Sequence, residues 1–335
     1  MKLKVCAFFM FFMMVQLAVG QKKLDNYIFF NRDRERIHDT AFLNNPNVKG
    51  ALLKYAWREL EPNMNSYDFK DIEEDLAFLK SKGKELFIQI QERSFDTTIL
   101  NLPEYLLTDA LYNGGAFIQY EFLNKEETKF RVDGWVAKRW DSQVAKRFDK
   151  LLIELGNTFD GRIEGLILPE TAIGVGDDKS KWPKGYYPSN YFHAITKSMK
   201  TAKKVFPKSV IIQYANFFPG EWMPESKSSY LHRIFQTAKV YGVGVGGPDV
   251  FPYKPSQMKN SYNLIRDCAK SIPTGMAVQQ GNCDYINPQT NKRVKISEIY
   301  IFASEFMNLD YLFWGTQEPY YSNNILPFIR KIEKQ

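Results

Sequence analysis

Carboxylates, amides and indoles recur at one kind of place in this sequence, the trailing edge of short apolar runs. Trp57 and Arg58 close the run that begins at Gly50, with Glu61 just beyond. Gln89 and Gln91 alternate within Glu85 to Gln91 (ELFIQIQ), and Glu92 and Arg93 follow. Glu170 comes directly after Leu166-Ile167-Leu168-Pro169, and Tyr214 and Asn216 close Val210 to Asn216. Asp249 follows Gly246-Gly247-Pro248, Gln279 and Gln280 end a run from Thr274, and Trp314 precedes Gln317 and Glu318. Carboxyls transfer protons, amides and carboxylates pair with hydroxyls, and indoles cover flat apolar faces. A sugar ring presents both hydroxyls and apolar faces, so the set suits an oligo- or polysaccharide.

Glu170 is the sharpest of these residues. An apolar strand edge favours the protonated carboxyl that a general acid needs. The bland alternative is a carboxylate that caps a turn or pairs with an arginine. Asp249 is the second catalytic candidate, set against a plain turn-forming aspartate. Trp57, Arg58, Gln91, Glu92, Tyr214, Asn216, Gln280, Trp314 and Glu318 are the expected substrate contacts. Other chemistries lack their residues. His38, His193 and His232 are widely spaced and make no ligand pair, so neither a metal nor another cofactor is expected. No Gly-x-Ser-x-Gly elbow or phosphate-binding Walker loop occurs. Gly242, Gly244 and Gly247 spell Gly-x-Gly-x-x-Gly, but Pro248-Asp249-Val250 follows where a helix must start. That run reads as a constricted strand.

The elements that position these residues alternate. The strands are expected at Gly50–Trp57, Glu85–Gln91, somewhere in Thr128–Ala137, Ile163–Glu170, Val210–Asn216, Gly242–Gly247, Thr274–Gln280 and Leu309–Trp314. Between most of them lie helical patterns, such as Phe69, Ile72, Leu76 and Leu79, or Val144, Phe148, Leu151 and Leu155 after an Asp141 cap. Eight strand–helix units predict an α/β fold, a closed (βα)8 TIM barrel, with an open doubly wound sheet as the alternative. In such a barrel, function sits at the C-terminal strand ends, where these candidates fall. Residues 95–127 form a long insertion that is placed to wall the cleft.

Residues 1–20 read as a signal peptide. Lys2 and Lys4 precede the apolar stretch from Val5, and Ala18-Val19-Gly20 offers a cleavage site before Gln21. The protein is therefore expected to be secreted or periplasmic, as one domain over residues 21–335 with no membrane span once the leader is removed. The leader carries two lysines and no acid, so the formal charge falls from +7 to +5. The basic residues are scattered among acids, which excludes the concentrated stripe a nucleic-acid surface needs. Cys6 leaves with the leader. Cys268 belongs near the bottom of the barrel and Cys283 near the top, so two free thiols are expected.

The segment GALLKYAWRELEPNMNSYDFKDIEEDLAFLKSKGKELFIQI resembles the opening of clan A glycoside hydrolases, the β-galactosidase-like TIM barrels. A Trp-Arg-x-x-Glu-Pro segment and a Tyr-Asp-Phe helix start carry the likeness. RIEGLILPET and YLFWG extend it across most of the chain. The resemblance implies a glycosidase with Glu170 as acid/base. It also implies a glutamate nucleophile ending the seventh strand, where MAVQQGN places Gln279 or Gln280 instead. An amide cannot act as that nucleophile, so Asp249, Glu318 or Glu92 is the alternative partner. A partner far enough away to admit a water would give inversion. If no partner is in reach, the chain is a carbohydrate-binding barrel without catalysis.

Overall fold

In a computed structural model, residues 23–124, 127–176, 178–221 and 226–332 are described. The expected leader lies outside them. Eight parallel strands close into a barrel: β1 Asp25–Asn31, β2 Val48–Ala56, β3 Glu85–Gln91, β4 Gly165–Leu168, β5 Val210–Tyr214, β6 Gly244–Gly247, β7 Thr274–Val278 and β8 Tyr311–Gly315. β8 pairs with β1 to complete the ring, from Asp25 beside Tyr311 to Phe29 beside Gly315. The main covering helices are α1 Lys70–Ser81, α2 Ser142–Phe159, α3 Pro188–Val205, α4 Tyr230–Tyr241, α5 Tyr262–Cys268, α6 Ile296–Ile301 and α7 Leu326–Lys331. The fold is the (βα)8 barrel that the alternation predicts.

Two strands differ from expectation. β1 comes from Asp25–Asn31, so the run through Ala56 is the second strand and Glu85–Gln91 the third. Thr128–Ala137 supplies no barrel strand. Phe130–Ala137 instead pairs antiparallel with Ala116–Phe122 in a hairpin outside the ring. A parallel barrel strand is buried on both faces, and Phe130-Arg131-Val132 are exposed. β4 to β8 keep the expected order.

Strand alternation divides the apolar residues into two sets. Tyr27, Phe29, Leu52, Phe87, Ile167, Ile212, Tyr214, Ala277 and Phe313 plug the barrel interior. Their alternates, such as Leu53, Ile88, Leu166, Ile211 and Leu312, pack under the helices. The glycine-rich run forms β6. A Cβ on Gly246 would come within 1.7 Å of the Gly275 carbonyl oxygen, so close strand approach demands glycine there. Local signals fix the helix ends. The Asp141 carboxylate accepts the amides of Gln143 and Val144 (2.8 and 3.2 Å) to start α2. Gly242, at φ 67°, ends α4.

Cys268 and Cys283 are buried and unbridged, and burial pushes both thiols up to about 11. The thiolate is the reactive form, so both should react slowly in the native protein. We expect titration of denatured, unreduced protein lacking residues 1–20 to find two thiols and titration of native protein almost none. Finding neither thiol after denaturation would contradict this placement.

Candidate active site

The top of the barrel gathers side chains from at least five strand ends. Glu170 stands just beyond β4. The Asn216 side-chain amide donates to its Oε2 at 3.2 Å, and Arg93 Nη1 lies 3.6 Å from the same oxygen. Its backbone is pinned from two sides. Arg139 Nη2 donates to the Glu170 carbonyl at 3.1 Å, and Gln213 Nε2 donates to the Pro169 carbonyl at 2.6 Å. Thr171 N donates to the Tyr214 carbonyl at 3.0 Å, which ties the exit of β4 to the end of β5. These contacts seat Glu170 firmly after Pro169.

Asp249 follows β6. Asn282 Nδ2 donates to its Oδ1 at 2.9 Å, and the Tyr262 hydroxyl donates to its carbonyl at 3.0 Å. Burial is the chief cause that pushes the Asp249 carboxyl up to about 6. The Asn282 bond opposes this, the charge of Glu170 adds to it, and Lys254 and Lys54 pull it down. The charge of Glu170 thus reaches Asp249 across the barrel mouth.

Lys54 completes the cluster and was not legible as a functional residue. It lies on the inner face of β2, two residues after the plug residue Leu52, with Nζ 5.0 Å from the centre of the Phe29 ring. Burial lowers its pKa, and Glu170 and Asp249 act in the opposite direction. A lysine inside an apolar strand is the available signal, and it reads as a solvated face unless strand parity is known.

The other expected contacts divide. Gln91 and Glu170 line a small cavity of about 40 Å³ with Lys54, Gln89 and Arg93. Among the described residues, no hydrogen-bond donor reaches the buried Oε1 atoms of Gln89 and Gln91. Gln280 and Glu318 line a larger cavity of about 580 Å³ that Asp249 also faces. The hydroxyl of buried Tyr214 has no hydrogen-bond partner among the described residues, and it feels the charges of Glu170 and Asp249.

Four expected contacts have other occupations. Trp57 is fully buried, donates to Glu61 Oε2 at 3.0 Å and packs edge-on to Phe148. Trp314 is also fully buried and donates to Asn26 Oδ1 at 2.9 Å. Its neighbour Phe313 takes the inward position, so the indole points toward the helices. Buried Glu92 sits 3.2 Å from Arg139 Nε and accepts the Ala137 amide at 2.8 Å, which anchors the hairpin. Arg58 reaches the Leu100 carbonyl at 3.0 Å. Among the described residues, no three His, Cys, Asp or Glu side chains gather to hold a metal ion. No helix among them is long and apolar enough to cross a membrane.

No protein-family model and no curated protein matches the chain. Solved structures do. The catalytic domain of a β-amylase from Paenibacillus polymyxa superposes with a TM-score of 0.56 at 11% identity, covering 90% of this chain and 93% of that one. A psychrophilic family 10 endo-β-1,4-xylanase superposes at 0.51 with 12% identity, covering 87% and 86%. A family 10 endoxylanase from a sugarcane soil metagenome superposes at 0.50 with 13% identity, covering 91% of each chain. At these identities the likeness is one of fold, and the fold is the (βα)8 barrel.

Proposed function

We propose that this chain is a secreted or periplasmic glycoside hydrolase, one barrel domain after loss of residues 1–20, with Glu170 and Asp249 as its catalytic carboxyls. The observation that carries this reading is the pair itself. Two carboxyls from the ends of β4 and β6 share one barrel mouth, and one of them is pushed up to about 6. Paired titratable groups in unlike settings are the usual basis for dividing acid and base roles. The same barrel serves a β-amylase and endo-β-1,4-xylanases, which supports a carbohydrate substrate.

The roles expected from sequence are exchanged in this reading. Asp249 holds a proton below about pH 6 and delivers it to the leaving oxygen. Glu170 faces the Asn216 amide and the Arg93 guanidinium, an arrangement that suits a proton acceptor or a group facing positive charge in the transition state. Gln279, one of the two amides where the resemblance implies a nucleophile, donates to the Pro248 carbonyl at 2.9 Å. That detail favours the second reading, a sugar-binding barrel without turnover.

The pH dependence of kcat/KM on a hydrolysed glycan tests the assignment. If Asp249 must be protonated, activity is full below pH 6 and is lost as pH rises through about 6. Asp249→Asn should remove that limb together with most of the rate. A limb that rises through pH 6 would make Asp249 the base. No limb in that region would remove Asp249 from the mechanism.

A further inference from the structure

A cavity of about 840 Å³ lies against the hairpin of Ala116–Phe122 and Phe130–Ala137. Its walls are Phe95, Tyr120, Phe122 and Leu123 on one side and the segment after Glu170, including Ile173 and Gly174, on the other. The cavity is pre-formed. Gln119 Nε2 donates to the carbonyls of Ser94 and Asp133 (3.1 and 3.3 Å), its Oε1 accepts the Gly174 amide at 3.4 Å, and Tyr120 N donates to the Gly174 carbonyl at 2.9 Å. A Cβ on Gly174 would lie 2.2 Å from the Tyr120 carbonyl oxygen, so the two segments touch backbone to backbone.

Arg93 and Phe95 line both this cavity and the small one at Glu170. The two are thus neighbours along one cleft. Phe95 and Leu123 line the cavity and stand 63% and 60% exposed, so their apolar faces are open to a ligand. Between these apolar side chains, Glu121, Glu127 and Asp133 bring carboxylates to the lining and Arg93 a guanidinium. Flat apolar surface with a few acceptors fits a pyranose ring, and the volume has room for about two rings by comparison with sites that enclose drug-sized ligands.

We propose that the hairpin cavity is a distal subsite that binds further units of the same saccharide chain whose bond is cleaved at Glu170. The substrate class is then a polysaccharide or long oligosaccharide of neutral hexoses or pentoses, with short sugars bound poorly. The proposal rests on the carbohydrate reading of the Glu170 site.

The test is calorimetric titration of the full secreted chain with disaccharides and hexasaccharides of β-1,4-xylose, β-1,4-glucose, β-1,4-mannose and α-1,4-glucose. For the bound series, the hexasaccharide should bind at least about tenfold more tightly than the disaccharide, the scale of one stacked ring. Phe95→Ala and Leu123→Ser should each shrink that ratio severalfold, and Phe95→Trp should keep it. Both side chains are exposed, so the variants should melt like wild type. Equal affinity for the two lengths, or a ratio untouched by both variants, would overturn the subsite and leave the Glu170 site standing. Binding of no sugar in any series would overturn the carbohydrate reading and the subsite with it.

Discussion

Replacing Glu170 by Gln should lower turnover on a hydrolysed glycan by about 10²–10⁴, the usual share of acid–base catalysis. The variant keeps the shape of the side chain, so Asn216 can still donate to its oxygen. What it loses is the charge that faces Arg93 and any capacity to take or give a proton. The expected loss is the same for a proton donor, a base or an electrostatic partner, so this prediction does not depend on how the roles divide. Sugar affinity should stay within a few-fold of wild type, because an amide still pairs with hydroxyls. Stability should change little, since the residue sits beyond the strand and the pair with Arg93 is partly open to water. A wild-type rate in Glu170→Gln would remove the residue from the mechanism.

Glu61→Ala should have the largest effect on stability. Glu61 is wholly buried and forms an ion pair with buried Arg147. It also accepts from Trp57 Nε1 (3.0 Å) and the Asn65 amide (3.1 Å). Arg147 in turn donates to Asn65 Oδ1 at 2.8 Å and to the Tyr105 hydroxyl at 3.0 Å. The network joins the exit of β2 to α2 and to the chain after β3. Removing Glu61 leaves a buried guanidinium without its partner, which costs about 3–5 kcal/mol in such pairs. Replacing both residues together, as Glu61→Leu with Arg147→Met, should cost far less, because no buried charge is left over. Denaturant unfolding of the three proteins checks this. A single variant as stable as wild type would show that the pair carries no net stability.

That network explains why the most specific stretch of sequence did not mark the site. Trp57 and Glu61 carry the resemblance of the opening segment, yet in the structure they staple a strand to a helix. The (βα)8 class was legible because β4 to β8 are short runs buried on both faces, each followed by a helical period. β1 was missed because Asp25–Asn31 is followed by a short helical turn and one four-residue helix rather than an amphipathic helix. Phe130–Ala137 has the composition of a barrel strand, but its partner strand, Ala116–Phe122, lies in the insertion. The placement of Glu170 and Asp249 at the C-terminal strand ends was legible from position alone, as acids that follow short buried strands. Trp314 misled for a related reason. When both faces of a strand are buried, composition does not say which parity points inward, and here Phe313 does.

The central claim is hydrolysis of a glycosidic bond at the mouth of this barrel, and it meets its most direct test in one assay. Release of new reducing ends should be followed at pH 5, where Asp249 holds its proton, over a panel of soluble polysaccharides and their oligosaccharides. The account predicts release from at least one glycan by the wild-type protein. A glycan that binds in calorimetry while none in the panel is cleaved would contradict it and assign the barrel to binding alone.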